Sequence, residues 1–316
     1  MELIRIGISA CLLGQEVRFD GGHKRDRFLT DVLGPHVEWV PVCPEVEMGL
    51  GTPRETLRLE RAGTRLRMIT TRTGVDHTEG MRGWAVRRLD ELAREDLTGY
   101  VLKKDSPSCG MERVKVYAAG GGMAARDGRG VFAEALLARF PLLPVEEEGR
   151  LGDPRLRENF IERVFAFRRL KGLFGPRWSL GSLVAFHTAH KMALLAHSTT
   201  AYQELGRLVA GGRAMPRAEL RHAYETGFMK TLSIPATTRR QTNVLMHMAG
   251  HLKKLVDGAS RQELADCIDE YRRGLVPVVV PLTLIRHHVR VHDVQYLKGQ
   301  TYLEPHPREL MLRNHV

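Results

Sequence analysis

The chain has 316 residues, 43% hydrophobic and 27% charged, with a formal net charge of +11. That is the composition of a soluble globular protein with room for one large or two ordinary domains. No apolar run is long enough to span a bilayer, Met1-Glu2-Leu3-Ile4-Arg5 does not open a signal peptide, and four cysteines are too few for a disulfide framework. A cytoplasmic chain is expected, with cysteines serving metal, catalysis or packing. Residues 1–152 carry 23 Lys+Arg against 23 Asp+Glu, whereas residues 153–316 carry 25 against 14, with 11 of the 14 histidines. A polyanion is the partner that suits such a second half.

In chain order, residues 4–9 predict a strand, followed by a loop at 11–22. Residues 23–34 read as helical, 38–42 as a second strand and 66–71 as a third. Trp84, Val86, Leu89 and Leu92 have helical spacing within 79–95. Residues 99–102 are the next strand, 120–130 a glycine-rich loop, 131–140 a helix and 142–145 a last short strand. This alternation predicts an α/β, Rossmann-like domain with a mostly parallel sheet. Ligands of such sheets lie beyond the carboxyl ends of the strands, at a switch point. Cys11, Cys43 and Cys109 all fall at predicted carboxyl ends. Residues 146–154, with three glutamates and Asp153-Pro154, mark a boundary between domains at 1–148 and 155–316. Beyond it, helical patterns at 155–173, 180–197, 201–209, 217–232, 237–255, 261–274 and 282–291 predict an all-α domain. Pro277 and Pro281 bracket a valine run that is either extended or the start of a helix.

The turn Lys103-Lys104-Asp105-Ser106-Pro107-Ser108-Cys109-Gly110 gathers a soft ligand, hydroxyls and positive charge. Three thiols with no local Cys-x-x-C pair do not suit a structural zinc, which takes four ligands. They suit an iron–sulfur cluster with one iron lacking a protein ligand, or three core cysteines; the residues alone leave both open. Cys267 lies on an apolar helical face and reads as core.

Four motifs in order carry a family resemblance: Cys11-Leu12-Leu13-Gly14, Phe19-Asp20-Gly21, Cys43-Pro44-Glu45 and the turn ending in Cys109-Gly110. Over about residues 4–145 the chain resembles the thiouracil desulfidase family. The second half resembles a helical domain of unknown function often fused to it, through His187-Thr188-Ala189-His190-Lys191, Ala196-His197-Ser198, Asn243-Val244-Leu245-Met246-His247, Tyr271-Arg272-Arg273-Gly274, Pro281-Leu282-Thr283-Leu284 and Gln300-Thr301-Tyr302-Leu303. Phe19 stands where the family more often has Tyr, and Gly250-His251 where an aromatic commonly follows the glycine. The two-domain arrangement is similar to enzymes that remove sulfur from 4-thiouridine in tRNA. The resemblance implies a [4Fe-4S] cluster on Cys11, Cys43 and Cys109, with the open iron polarising a thiocarbonyl. Glu45 is then the candidate acid–base group and Ser106 a group that orients water or substrate. Lys103 and Lys104 are candidates to steady an anionic adduct or phosphate. Asp20 either shapes its loop or makes a second polar contact.

In the second half, His187, His190 and Lys191 are expected on one face of a helix, with His197 near its end, and His247 and His251 four apart on another. No carboxylate or cysteine accompanies them, which disfavours metal and leaves core or RNA-facing positions. Arg239-Arg240, Lys253-Lys254 and Arg272-Arg273 read as paired cations on separate helices that track a phosphate backbone, with His187, His190 and Lys191 beside them. Two other functions stand: an enzyme acting on free thiouracil or a small thionucleoside, and a non-catalytic RNA-binding sensor of iron or oxygen.

Overall fold

The computed structural model describes residues 4–120 and 122–315. Met1-Glu2-Leu3, where no signal peptide is read, Gly121 of the glycine-rich loop and Val316 lie outside the described residues. The chain forms two units, Met1–Gly152 and Asp153–Val316. In chain order the first holds β1 (Arg5–Ser9), β2 (Glu38–Val42), β3 (Leu57–Ala62), β4 (Arg65–Thr70), α1 (Thr78–Leu92), β5 (Gly99–Leu102), β6 (Val114–Ala118), β7 (Ala125–Gly128), α2 (Val131–Arg139) and β8 (Val145–Glu147). A parallel sheet runs β2-β1-β5-β8 and a mixed sheet runs β4-β3-β6-β7. β1 and β5 are near-continuous apolar runs, as strands buried on both faces must be; Ile6, Ile8, Tyr100, Val101 and Leu102 are fully buried. Gly7 is needed where these strands meet, because a Cβ there would lie 2.2 Å from the Tyr100 ring. The chain leaves β1 for β2 on one side and later adds β5 on the other, so the carboxyl end of β1 is the switch point.

The mixed sheet is absent from the sequence expectations. Arg58, Glu60 and Arg61 obscure the apolar signal of β3, and the strand expected at 66–71 is its hairpin partner β4, joined by a turn at Gly63 with φ +61°. β7 occupies part of the expected glycine-rich loop; Gly128 permits it, since a Cβ there would lie 2.5 Å from Val116. Residues 23–34 are not a helix. The Lys24 and Asp26 N–H groups donate to the Cys11 and Leu12 carbonyls, both at 2.9 Å, so the segment lines the turn after β1. Only Phe28–Leu33 makes a wide helical turn. Val86, expected on the inner face of α1, is exposed. β8 begins where the strand expected at 142–145 ends, and it consumes two glutamates of the expected boundary. Glu146 and Glu147 are buried there because each is partnered: Glu146 accepts from Arg150 Nε and Glu147 from the Met111 N–H, both at 2.6 Å.

The second unit holds α3 (Pro154–Leu173), α4 (Leu180–Ala189), α5 (Lys191–His197), α6 (Thr199–Ala210), α7 (Arg217–Leu232), α8 (Thr238–Leu252), α9 (Gly258–Arg272), α10 (Val279–Val291) and α11 (Gln295–Lys298). Side-chain caps start several of them: Asp153 accepts from the Arg155 N–H at 2.8 Å, and Asp257 from Ser260 at 2.7 Å. Pro281 lies in the first turn of α10, where no partner for its missing N–H exists, so the valine run starts a helix. The single helix expected at 180–197 breaks at His190. Residues 300–301 insert there: Gln300 Nε2 donates to the Thr188 carbonyl at 2.9 Å, its Oε1 accepts from the Met192 N–H at 3.2 Å, and the Thr301 N–H donates to the Ala189 carbonyl at 2.9 Å. Among the described residues no helix is long and apolar enough to cross a membrane.

Candidate functional site

Cys11 lies in the tight turn Ala10–Leu13 after β1, closed by Gly14 at φ +93°. Cys43 directly follows β2, and Cys109 ends the turn after β5. All three line one cavity of about 330 Å³ at the carboxyl ends of three neighbouring strands. Helix α2 fixes the Cys109 turn from behind. Its Phe132 and Ala133 N–H groups donate to the Ser108 carbonyl at 3.0 and 3.1 Å. Gly130 makes this approach possible, since a Cβ there would lie 2.4 Å from that carbonyl oxygen.

Burial dominates the electrostatics of the thiols. It pushes Cys11 up to about 11 against the pull of Lys103. It also raises Cys43, and it raises Cys109 far above the ordinary value, with the Glu45 carboxylate adding to the rise and hydrogen bonds from Ser9 and Ser108 opposing it. A thiophilic metal centre brings its own charge and removes the thiol proton, so the donor set suits ligation. Among the described residues no group of three His, Cys, Asp or Glu closes around a single ion. A multi-iron cluster does not need that closure, because each thiolate takes a different iron.

Glu45 reaches the same cavity and is clamped. Its Oε2 accepts from Arg54 Nε at 2.9 Å and from a second Arg54 nitrogen at 2.7 Å, and its Oε1 accepts from Ser108 Oγ at 2.6 Å. Arg54 also donates to the Val17 and Gly51 carbonyls at 3.0 and 2.9 Å. Ser106 Oγ lies 2.9 Å from Ser108 Oγ and accepts from the Cys109 N–H at 3.1 Å. Arg54 and Ser108 were not among the expected site residues. Nothing periodic marks Arg54, which arrives on the loop before β3, whereas Ser108 stands inside the motif that ends in Cys109.

The other candidates divide. Lys103 and Lys104 line the cavity, but Lys103 is ion-paired to Glu148, while Lys104 stays exposed. Asp20 is not among the residues lining the cavity. It pairs with Arg18 at 3.2 Å and accepts from the Gly22 N–H at 3.1 Å, the loop-forming role of an aspartate beside glycines.

In the second unit the expected shared helical face does not form, since Lys191 starts a new helix after the break. His187 and His190 are buried at 8% and 2% exposure, so they occupy core rather than phosphate-facing positions. His187 stacks on Tyr202 and its Nδ1 lies 3.2 Å from the Tyr224 hydroxyl; His190 stacks on Phe186 and takes Arg169 Nε at 3.3 Å. His197 is buried against Glu162 at 3.4 Å. Arg239-Arg240 lies in the first turn of α8 and Lys253-Lys254 directly follows its last residue, so these pairs flank one helix rather than sitting on separate helices. None of these four makes an ion pair among the described residues, whereas Arg272 and Arg273 share Asp269.

Three desolvated thiols beside a clamped carboxylate, at the switch point of a parallel sheet, give this α/β unit a donor set that fits a thiophilic metal centre. The family model for 2-thiouracil desulfurase matches residues 6–148, and one for a protein of unknown function (DUF1722) matches residues 191–307. The uncharacterized protein YbgA of Escherichia coli (strain K12) is 35% identical over 161 residues, 51% of this chain and 95% of its own. The uncharacterized protein YbbK of Bacillus subtilis (strain 168) is 31% identical over 108 residues, 33% of this chain and 71% of its own. A solved structure, the [4Fe-4S]-dependent thiouracil desulfidase TudS (DUF523Vcz), is 34% identical over 47% of this chain and 93% of that one, with a TM-score of 0.39. The chain belongs to the 2-thiouracil desulfurase family, in a two-domain form that adds a DUF1722 unit.

Proposed function

We propose that this protein removes sulfur from 4-thiouridine in tRNA, giving uridine and sulfide without net redox chemistry, with a [4Fe-4S] cluster held by Cys11, Cys43 and Cys109. The observation that carries the reading is the cavity itself: the buried Cys11 and Cys109, the half-buried Cys43 and the Glu45 carboxylate line one enclosure, with no fourth cysteine among its lining residues. Free thiols throughout suit the reducing cytoplasm.

Bound there, the cluster supplies one iron free of protein ligands, a Lewis acid for a thiocarbonyl sulfur. The rest of the chemistry belongs to the chain. Water oxygen replaces sulfur on the ring carbon and both water protons leave on hydrogen sulfide, so no oxidant or reductant is consumed. Glu45 Oε1 is the basic atom for that proton traffic. Arg54 occupies Oε2 and leaves Oε1 turned to Ser108. Ser108 and Ser106 form the hydroxyl pair that orients the attacking water. Lys103, neutralised by Glu148, holds the turn rather than the adduct.

The basic helical unit supplies affinity for tRNA through Arg239, Arg240, Lys253 and Lys254, with Arg272, Arg273 and Lys191 contributing. A base within folded RNA must leave its stack to reach the cavity. Free 2-thiouracil is the second reading, favoured by the family match over residues 6–148. The test is sulfide release by anaerobically reconstituted full-length protein from thiolated bulk tRNA and from free 2-thiouracil. Preference for tRNA supports the proposal; release from the free base alone transfers the activity to the second reading; release from neither sinks both. In the same preparations Cys11→Ala, Cys43→Ala and Cys109→Ala should each lose iron, and Cys267→Ala should not.

A further inference from the structure

The second unit contains a cavity of about 450 Å³ that the proposed desulfidation does not use. That volume is in the range of small-molecule sites. Its lining is graded. Arg155, Thr237, Thr238 and Arg239 are exposed and form the mouth. Glu158, Asn159, Glu162 and His197 are buried and form the floor. Tyr271, Val278 and Ala236 add apolar wall.

The mouth suits an anion. Arg155 and Arg239 make no ion pair among the described residues. Thr237 caps α8 by accepting the Arg240 N–H at 3.4 Å. The Thr238 and Arg239 N–H groups have no acceptor among the described residues, so the positive end of a 15-residue helix opens on the same mouth. The start of α3 adds nothing here, because Asp153 already takes its first N–H groups. The floor suits a hydroxyl. His197 is 1% exposed and its Nδ1 donates to the Ile234 carbonyl. Its Nε2 lies 3.4 Å from Glu162 Oε2 without making a hydrogen bond. Burial works to lower the His197 pKa, but Glu162 outweighs it and the pKa ends raised, which favours a proton on both ring nitrogens. The carboxylates are compensated within the protein: Arg313 donates to Glu158 Oε1 at 3.1 Å and lies 3.9 Å from Glu162. Asn159 spends its amide N–H on the Leu232 carbonyl at 2.9 Å, which leaves its oxygen as an acceptor. A hydroxyl donates and accepts at once, so one placed at the floor satisfies the His197 nitrogen and a carboxylate together. Inorganic phosphate would occupy the mouth and leave the floor unsatisfied.

We infer that this cavity is a second, small-molecule site for a hydroxylated phosphate monoester, a sugar phosphate or a ribonucleotide, with the phosphate between Arg155, Arg239 and the start of α8 and a hydroxyl at His197. The site lies wholly in the second unit and stands apart from the desulfidase reading.

Ribose 5-phosphate and adenosine 5′-monophosphate, with ribose, adenosine and inorganic phosphate as controls, are titrated calorimetrically into full-length protein. At least one monoester should bind about tenfold or more tightly than its unphosphorylated counterpart, the scale of one charge-assisted hydrogen bond. It should also bind more tightly than inorganic phosphate. Arg155→Met/Arg239→Met changes only exposed side chains and should bring the first ratio toward one. Ala236→Leu keeps every charge but narrows the cavity, so it should weaken the monoester and spare both inorganic phosphate and tRNA. A preference for adenosine 5′-monophosphate assigns the apolar wall to a base; equal binding assigns the site to the sugar phosphate alone. Absence of saturable monoester binding, or a ratio that survives the double methionine variant, overturns the site. Loss of tRNA affinity in Ala236→Leu, matching the loss of monoester, gives the cavity to a nucleotide of the RNA and overturns the small-molecule assignment.

Discussion

Arg54→Met should destabilise the first unit more than removing Arg54 and the Glu45 charge together. The Arg54 and Glu45 side chains are 7% and 14% exposed, so the pair is largely out of water. Breaking a buried pair from one side costs about 3–5 kcal/mol, because the remaining charge loses its partner in a poor solvent. Glu45 keeps its Ser108 hydrogen bond, which argues for the lower end, about 3 kcal/mol, or about 6–12 °C in midpoint for a unit of this size. Glu45→Gln strands a guanidinium that still donates to the Val17 and Gly51 carbonyls, so its cost should be about 1–2 kcal/mol. The double variant strands no charge and should recover at least about 1 kcal/mol relative to Arg54→Met. The assay is urea unfolding of cluster-free protein, since a bound cluster would add its own stabilisation. Trp39 and Trp84 report the first unit in a Trp178→Phe background. A double variant no more stable than Arg54→Met, or an Arg54→Met loss below about 0.5 kcal/mol, would refute the clamp.

Acid should weaken the helical unit. Burial, with Arg169 adding to it, lowers His190 from 6.5 to about 3, so its contribution is complete above about 6.5 and is lost as pH falls toward 3. Burial raises Glu162, but His197 outweighs it and the carboxyl ends at about 2, so its contribution is lost as pH falls from 4.5 through 2. His197, raised by Glu162 against the effect of burial, acts oppositely and loses its contribution as pH rises past its folded value. Unfolding followed at Trp178 between pH 4 and 7 should therefore show stability falling with acid, and His190→Gln should flatten the slope by up to about 1.4 kcal/mol per pH unit; an unchanged slope removes His190 from the account. Gly130→Ala should lose iron binding at normal expression, because the new Cβ meets the Ser108 carbonyl at 2.4 Å; full iron loading would show that α2 yields without moving Cys109. Arg239→Glu/Arg240→Glu should lower tRNA affinity, flatten its salt dependence and leave iron content unchanged, measured by filter binding at two salt concentrations. Equal affinity at low salt would move the RNA surface away from the start of α8.

The strands that matter most for the site were legible in the sequence because each is a local apolar run ended by a turn. β2 and β5 fall on the predicted residues, β1 within one residue, and the parallel pairing that gathers their ends follows from the alternation with helices. That is why Cys11, Cys43 and Cys109 could be grouped although nothing adjacent in sequence links them. The charge split between the halves and the helical character of the second half were equally local, since they depend on composition and a 3.6-residue period.

What only the tertiary structure decided is everything set by contacts between distant segments. Arg54, on the loop before β3, meets Glu45, just after β2, only once the intervening loop has folded back, and the charged residues of β3 mask the mixed sheet that follows. Residues 23–34 have a helical pattern but give up their backbone groups to the turn at Cys11 and Leu12. The helix expected at 180–197 is continuous in propensity, yet Gln300 and Thr301, more than a hundred residues away, take the hydrogen bonds at its centre. That break, with the packing around it, turns His187 and His190 from a shared outer face into buried residues. Local sequence determines what each segment can form alone; which backbone and side-chain groups it must surrender to a distant partner is fixed only when the chain has closed on itself.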